Sequence, residues 1–418
     1  MKKCIFIAVS LILGCLCFLY INYLNKDTPI QKTEKLLSVT DMLNDSLSKH
    51  HKYKKDTYIL FDCLFDKNVE QIDAYSLFLH MKKRKLKAYY VLLKDTELYK
   101  KLEKENNLEN IIAIKNYSKS DGREFIYKIS DILPKTKVII TSFGLGNAID
   151  YYFKQIPYLK YIFIQHGQVF FKESVLNNGY ISPKTFDKVL VSSGIETNIF
   201  KKYGWSDNRL LKSALPRWDL LNDNTYPNEK SIMIMFTWRI TTPKRFSQSL
   251  YWKRLVLLLE NKEFNNFIQN NNIKVYFAPH HAFEEKSNIS ISINLPNIKF
   301  INSLEISEYI KKSSMLLTDL SSVAFDFMFQ NKPVIFYGLD RGDPLLEVNQ
   351  YIDLELLKQK ESIFPNIFFN EDDVVNKIKY YADRNFVLEK DVADIYDKFF
   401  FIKQDIREDL INQLEHML

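Results

Sequence analysis

Eleven short runs of β-branched and aromatic residues, separated by longer segments of helical pattern, constrain this chain more than any other feature of it. The first six lie near residues 58–61, 88–93, 111–114, 138–141, 161–165 and 189–192. The other five lie near 232–236, 275–278, 298–301, 315–318 and 334–337. These runs are apolar throughout rather than alternating, the pattern of strands buried on both faces, as in a parallel sheet covered by helices. Two such series predict two doubly wound α/β domains. The length of 418 residues agrees, because it exceeds what one core usually supports.

The polar, turn-prone stretch at 222–230, which includes Asn222-Asp223-Asn224-Thr225-Tyr226-Pro227-Asn228, marks the boundary. Expected domains are therefore residues 55–221 and 230–390, with a helical tail at 391–418. Two facing Rossmann-like domains with a cleft between them form the GT-B arrangement, which is the expected fold class. No internal repeat or low-complexity tract interrupts it.

An uncharged apolar run at residues 4–24 follows Met1-Lys2-Lys3. Its 21 residues would span about 30 Å as a helix, enough to cross a bilayer core. A cleaved signal peptide would have a shorter apolar core and small residues at its end, whereas this run closes on Phe18-Leu19-Tyr20-Ile21-Asn22-Tyr23-Leu24. A lipoprotein site at Ile12-Leu13-Gly14-Cys15 would not continue apolar past Cys15. An uncleaved N-terminal anchor, transmembrane or interfacial, is the expectation. Lys2 and Lys3 before the run and Lys26, Lys32 and Lys35 after it leave its orientation balanced. Cys4, Cys15 and Cys17 fall inside the run, so the body owns only Cys63 and no internal disulfide. That usage fits a reducing compartment. A net charge of +7 suits anionic substrates or an anionic membrane surface and gives no reason to expect nucleic acid as a partner.

In an open α/β sheet, ligands bind beyond the carboxyl ends of the strands. Four polar clusters stand there: Gln165-His166-Gly167-Gln168, Thr237-Trp238-Arg239, Pro279-His280-His281 and Thr318-Asp319-Leu320-Ser321-Ser322. An imidazole at His166 would titrate near neutrality and could take a hydroxyl proton; a histidine merely satisfied at a domain edge would look the same. Gly167 would let backbone approach a substrate closely. Asp319 or Ser321 is a natural N-cap for the buried helix that follows, and hydroxyls with free amides at a helix start suit a phosphate; an ordinary cap is the plainer alternative. Asp326, inside that helix, would hold the loop or contact a ribose. Arg239, with Lys244 and Arg245 after it, offers a fork for phosphate oxygens or simply a solvated patch. His280 offers a second imidazole. His281 beside it would point the opposite way in extended chain. Leu215-Pro216-Arg217-Trp218-Asp219 is placed to brace the cleft. There is no Walker motif, zinc-type Cys/His spacing or Gly-x-Ser-x-Gly elbow, and Gly144-Leu145-Gly146 is too short for a dinucleotide fingerprint. No metal site or organic cofactor is expected, and a divalent-cation requirement is left open.

In this order the clusters resemble the CDP-glycerol glycerophosphotransferase family of teichoic acid and related polymer synthesis. The resemblance spans roughly residues 138–337. His166-Gly167 matches the family's His-Gly, and Pro216-Arg217 with Asp219 matches its Gly-x-Pro-Arg-x-Asp. Thr237-Trp238-Arg239 matches Thr-Trp-Arg, and His280 its second essential histidine. Thr318-Asp319-Leu320-Ser321-Ser322, with Asp326-Phe327 beyond, matches Thr-Asp-x-Ser-Ser-x-x-x-Asp-Phe, the most specific element. Lys332-Pro333-Val334-Ile335-Phe336-Tyr337 continues it. The chain departs from the pattern in having Gln-His-Gly-Gln where Trp-His-Gly-Thr is common, Lys172 as the next lysine, and Ala214 in place of a glycine.

The resemblance implies a transferase that takes glycerol phosphate, or a related polyol phosphate, from CDP-glycerol to a hydroxyl of a polymer or lipid-linked acceptor, releasing CMP. The domain at 55–221 would be the acceptor side, and that at 230–390 would bind the CDP donor. His166 would be the general base and His280 the second catalytic residue. Gly167, Arg217, Asp219, Thr237, Arg239, Thr318, Asp319, Ser321, Ser322 and Asp326 would contact substrate. CDP-activated donors are made in the cytoplasm, so the body is expected on that face of a bacterial membrane. Two other readings share the fold: a glycosyltransferase using a nucleotide sugar, and a non-catalytic anchored binding protein.

Overall fold

The computed structural model describes residues 41–417 except 46–47, 49, 68–69, 71, 118–121, 146–147, 173–175, 177–180, 222–228, 238–246, 280–296 and 344–362. The expected anchor at 4–24, Trp238, Arg239, Lys244, Arg245, His280, His281 and most of the expected linker lie outside the described residues. Among the described residues no helix is long and apolar enough to cross a membrane.

Two sheets form. The first holds β1 (Thr57–Phe61), β2 (Lys87–Leu93), β3 (Ile111–Ile114), β4 (Thr136–Thr141), β5 (Lys160–Phe163), β6 (Lys188–Val191) and β7 (Leu210–Lys212), in the order β3-β2-β1-β4-β5-β6-β7. The second holds β8 (Ser231–Met235), β9 (Lys274–Phe277), β10 (Ile298–Phe300), β11 (Met315–Thr318), β12 (Val334–Tyr337) and β13 (Ile367–Phe368), in the order β10-β9-β8-β11-β12-β13. β1 pairs in parallel with β2 and β4, and β8 in parallel with β9 and β11. Both sheets thus reverse strand order between their first and fourth strands, the doubly wound arrangement expected from the sequence. All eleven expected strands are present. β7 and β13, of three and two residues, join them.

The strand sequences explain their places. β1 and β8 are buried at every residue, as central strands covered on both faces must be, while the edge strand β10 is exposed at Lys299 and Phe300. In the second sheet Ile232, Ile234, Val275, Phe277, Leu317 and Ile335 pack with Tyr251, Leu255, Leu258 and Leu259 from the helix Leu250–Glu260. Each fully buried aliphatic of this kind is worth roughly 1.5–3 kcal/mol. Cys63 is buried in the first unit, and burial pushes its thiol up to about 12, so it behaves as a core side chain.

The chain forms two compact units, one of Met1–Lys67, Gln71–His166 and Tyr180–Val189, the other of Asn68–Glu70, Gly167–Gly179 and Leu190–Leu418. Residues 190–221, read from the sequence as part of the first domain, therefore belong with the second, as does the tail. Side chains show why. The tail contains the helices Lys390–Phe399 and Ile406–His416. Phe400 between them packs edge-on to Trp218 at 5.0 Å, and Ser213 Oγ donates to Asp409 at 2.6 Å. Asp405, at the start of the last helix, has a left-handed backbone (φ 51°) and makes no side-chain cap. Asp219 supplies the cap instead. Its carboxylate accepts from the amides of Ile406 and Arg407, both at 2.9 Å, and from Arg407 Nε at 3.0 Å.

This capping is testable by urea unfolding. Asp219→Ala should cost about 1–2 kcal/mol, the loss of a capping carboxylate. An unchanged midpoint would show that the last helix holds without it.

Candidate active site

In the first unit the residues of interest stand where strand order reverses. β5 ends at Phe163, and buried Gln165 takes a φ of 60°, a left-handed backbone that costs a non-glycine residue about 1–2 kcal/mol. His166 follows and is exposed. Its ring stacks on Phe143, with centroids 3.8 Å apart and planes 14° from parallel, and Nδ1 lies 3.0 Å from the carbonyl oxygen of Ser142. A carbonyl can only accept, so Nδ1 carries the hydrogen and Nε2 carries the lone pair of the neutral ring.

Ser142, just past β4, is itself held by Asp62, just past β1. The Asp62 carboxylate accepts from Ser142 Oγ, from Tyr90 OH at 2.8 Å, and from the amides of Ala74 and Tyr75 at 3.0 and 3.1 Å. Those amides belong to the first turn of the helix Asp73–Lys83, where amides lack partners within the helix. Asp62 is only 1% exposed, and burial raises its carboxyl, with the four hydrogen bonds opposing that shift.

The second unit repeats this arrangement with other residues. Past β8, the amide of Thr237 donates to Asp319 Oδ1 at 2.8 Å and the Thr237 hydroxyl donates to the same oxygen. Thr318 Oγ1 donates to the carbonyl of Met235 at 2.6 Å, and Tyr251 OH to the carbonyl of Thr237 at 2.7 Å. Thr237, Thr318 and Asp319 are all buried. The helix Val323–Phe329 begins from Ser322, which makes no side-chain cap, while Ser321 Oγ accepts from the Val323 amide at 3.4 Å. Of the two N-caps expected from the sequence, Asp319 is thus spent on the strand ends, and Ser321 makes only this long contact.

Gly167 lies against that helix start. A β-carbon on it would sit 2.6 Å from Ser322 Oγ and 3.0 Å from Ser322 Cβ, so Ser322 alone is reason enough for glycine here. The chain after it is fastened firmly. Glu196, fully buried, accepts from the Ser192 amide at 2.7 Å, Ser192 Oγ at 2.9 Å and the Val169 amide at 3.4 Å, and Gln168 Nε2 donates to Ser192 Oγ. Phe171 then stacks on Phe325 at 5.1 Å.

Arg217 and Asp326 form one buried ion pair, with Arg217 Nε and Nη2 donating at 3.1 and 3.2 Å and Trp218 Nε1 adding a third bond at 2.6 Å. Burial raises the Asp326 carboxyl, and the Arg217 charge opposes that shift. Of the expected site residues, the structure therefore brings together Gly167 with Ser322, Thr237 and Thr318 with the ends of β8 and β11 at Asp319, and Arg217 with Asp326. Asp219 caps the last helix. Arg239 and His280 lie outside the described residues. Asp62, Ser142, Phe143 and Glu196 were not singled out from the sequence. Asp62 and Ser142 obey the same strand-end rule as the four clusters, yet as lone polar residues they form no motif. Among the described residues, no group of three or more His, Cys, Asp or Glu side chains is placed to hold a metal ion.

Comparison with known proteins places this geometry. A family model described as CDP-Glycerol:Poly(glycerophosphate) glycerophosphotransferase matches residues 46–407. The minor teichoic acid biosynthesis protein GgaB of Bacillus subtilis (strain 168) is 26% identical over 363 residues, covering 80% of this chain and 36% of that protein. The teichoic acid glycerol-phosphate primase of the same strain is 24% identical over 258 residues, covering 56% of this chain and 58% of that protein. The chain thus spans from about a third to somewhat over half of the length of these relatives. The structure of the wall teichoic acid polymerase TagF shares the fold, with a TM-score of 0.59 at 14% identity over 94% of this chain and 100% of that one.

Breaking the buried pair should be costly. Asp326→Ala leaves the Arg217 charge without its partner and should lower stability by about 3–5 kcal/mol in urea unfolding, and Arg217→Met in the same chain should recover much of that loss. Equal stability of Asp326→Ala and the native protein would remove the pair from this role.

Proposed function

The chain belongs to the CDP-glycerol:poly(glycerophosphate) glycerophosphotransferase family, and we propose that it transfers glycerol phosphate, or a related polyol phosphate, from CDP-glycerol to a hydroxyl of a polymer or lipid-linked acceptor. The observation that carries this reading is the match over residues 46–407, which takes in both compact units and all the strand-end clusters.

The chemistry follows from the residues. His166 takes the proton of the acceptor hydroxyl on Nε2, the nitrogen left with a lone pair by the bond from Nδ1 to the Ser142 carbonyl. The acceptor oxygen attacks the β-phosphorus of CDP-glycerol in line. The bond from that phosphorus to the bridging oxygen breaks, and CMP leaves with the bridging oxygen. Catalysis of such a transfer is mainly positioning and neutralisation of charge. Ser321 and Ser322, with Arg239 and His280, bind the diphosphate. Thr237, Thr318, Asp319, Arg217 and Asp326 act mainly by fixing the strand ends and the helix that carry these groups, an assignment supported by their burial and mutual hydrogen bonds.

The finer fold reading is the GT-B class, supported by the likeness to TagF over 94% of the chain. The apolar run at residues 4–24 supports attachment to the membrane, with the body on the cytoplasmic face where CDP-activated donors are made. The acceptor belongs to the cell envelope, on the strength of the teichoic acid relatives.

His166→Ala tests the mechanism. CMP release in the presence of acceptor should fall by about 10²–10⁴-fold, the usual worth of a general base, while CDP-glycerol binding measured by calorimetry stays as in the native protein. Loss of binding together with turnover would take His166 out of the base role.

A further inference from the structure

We propose that Asp62 is a positioning residue for the transfer reaction, which acts through Ser142 to fix the tautomer and the plane of the His166 ring. The catalytic part of this proposal rests on His166 being the base; the positioning part rests on geometry alone.

A histidine that accepts a proton must present one particular nitrogen, and that requirement is set by what its other nitrogen does. Here the other nitrogen, Nδ1, donates to a main-chain carbonyl, that of Ser142, at 3.0 Å. A main-chain carbonyl is only as well placed as the loop that carries it. This loop leaves β4 at Thr141 and carries two groups that orient the ring: the Ser142 carbonyl against Nδ1, and Phe143 stacked on the ring face at 3.8 Å. A shift of the loop would displace both together.

Asp62 holds the start of this loop to the rest of the unit, while Asp150 and Tyr117 fasten it further on at Leu145. Its side chain is buried and reaches three elements at once: the first turn of the helix Asp73–Lys83 through Ala74 and Tyr75, strand β2 through Tyr90, and the β4 loop through Ser142 Oγ. Each carboxylate oxygen accepts two of these bonds: Ala74 N and Ser142 Oγ on Oδ1, Tyr75 N and Tyr90 OH on Oδ2. A buried carboxylate is costly unless so compensated. An amide in its place would turn an NH₂ toward at least one main-chain N–H, so the neutral isostere cannot make the same four bonds. Its place, one hydrogen bond away from the residue whose carbonyl orients His166, is the reason to assign it to the reaction and not to the fold alone.

The test uses Asp62→Asn and the milder Ser142→Ala in the full chain. Ser142→Ala removes only the hydroxyl, keeps the carbonyl, and cuts the link to Asp62; Ser142→Thr keeps a hydroxyl and should act as the rescue. The first readout needs no substrate: nitrogen-15 spectra of the imidazole report which ring nitrogen of His166 bears the hydrogen. The native protein should show the Nδ1–H form, and Ser142→Ala and Asp62→Asn should show a mixture, with Ser142→Thr restoring the native spectrum. The second readout is CMP release from CDP-glycerol: turnover should fall about tenfold in Ser142→Ala at unchanged KM, a part of the ~10²–10⁴-fold expected of the base itself. A native His166 with hydrogen on Nε2, or variants that leave both the tautomer and the turnover as in the native protein, would overturn the assignment. A tautomer shift in a protein that proves inactive on CDP-glycerol would support the positioning and refute the proposed function, so the two failures are separable.

Discussion

Where an open parallel sheet reverses its strand order, the loops leaving the first and fourth strands turn to opposite faces and leave a crevice between them. Whatever chemistry stands in that crevice depends on the two strand ends being held in a fixed relation. In both domains of this protein a buried aspartate does this. Asp62, after β1, binds Ser142, after β4; Asp319, after β11, binds Thr237, after β8. The carboxylate comes from the first strand in one case and the fourth in the other, but the bond spans the same topological position. In both cases it accepts from a hydroxyl and from main-chain amides, two at Asp62 and one at Asp319. The groups proposed to touch substrate are neighbours of these tied ends: His166 rests on Ser142 and Phe143, while Ser321 and Ser322 follow Asp319 directly.

Much of this was legible in the sequence, and the limits have physical causes. The strands of both sheets could be read because burial on both faces demands uninterrupted apolar runs of fixed length. β7 and β13 escaped because three and two residues are too few to show a period. The family's most specific motif drew attention to Thr318, Asp319, Ser321, Ser322 and Asp326 as substrate contacts. In the structure three of these make buried internal bonds: Thr318 and Asp319 join strand ends, and Asp326 pairs with Arg217 from a position 109 residues away in sequence. A motif records which residues a fold requires together and is silent on whether the requirement comes from the ligand or from the protein. Gly167 makes the same point, since its missing side chain leaves room for Ser322. The division into compact units was the least legible feature. The polar stretch at 222–230 reads as a linker, yet the packing of Trp218, Ser213 and Asp219 on the tail joins residues 190–221 to the second unit, and only long-range contacts reveal that.

The two domains also differ in how they bear charge, and the difference fits their proposed roles. In the first, the donors to the Asp62 carboxylate are all neutral, two main-chain amides and two hydroxyls. In the second, the Asp326 carboxylate is matched by the Arg217 guanidinium, so the helix beginning at Ser322 is fixed by a charge-compensated pair. A donor site for a doubly charged leaving group is better served by neutral or positive surroundings.

The central claim is that the bond broken lies between the two phosphates of a CDP-polyol, and the nucleotide released reports it directly. Incubated with an acceptor and, in turn, CDP-glycerol, CDP-ribitol and a set of nucleotide sugars, the protein should release CMP from a CDP-polyol and leave the nucleotide sugars intact. Release of a nucleoside diphosphate from a sugar donor, with no CMP from either CDP-polyol, would contradict the account and identify a glycosyl transfer on the same fold.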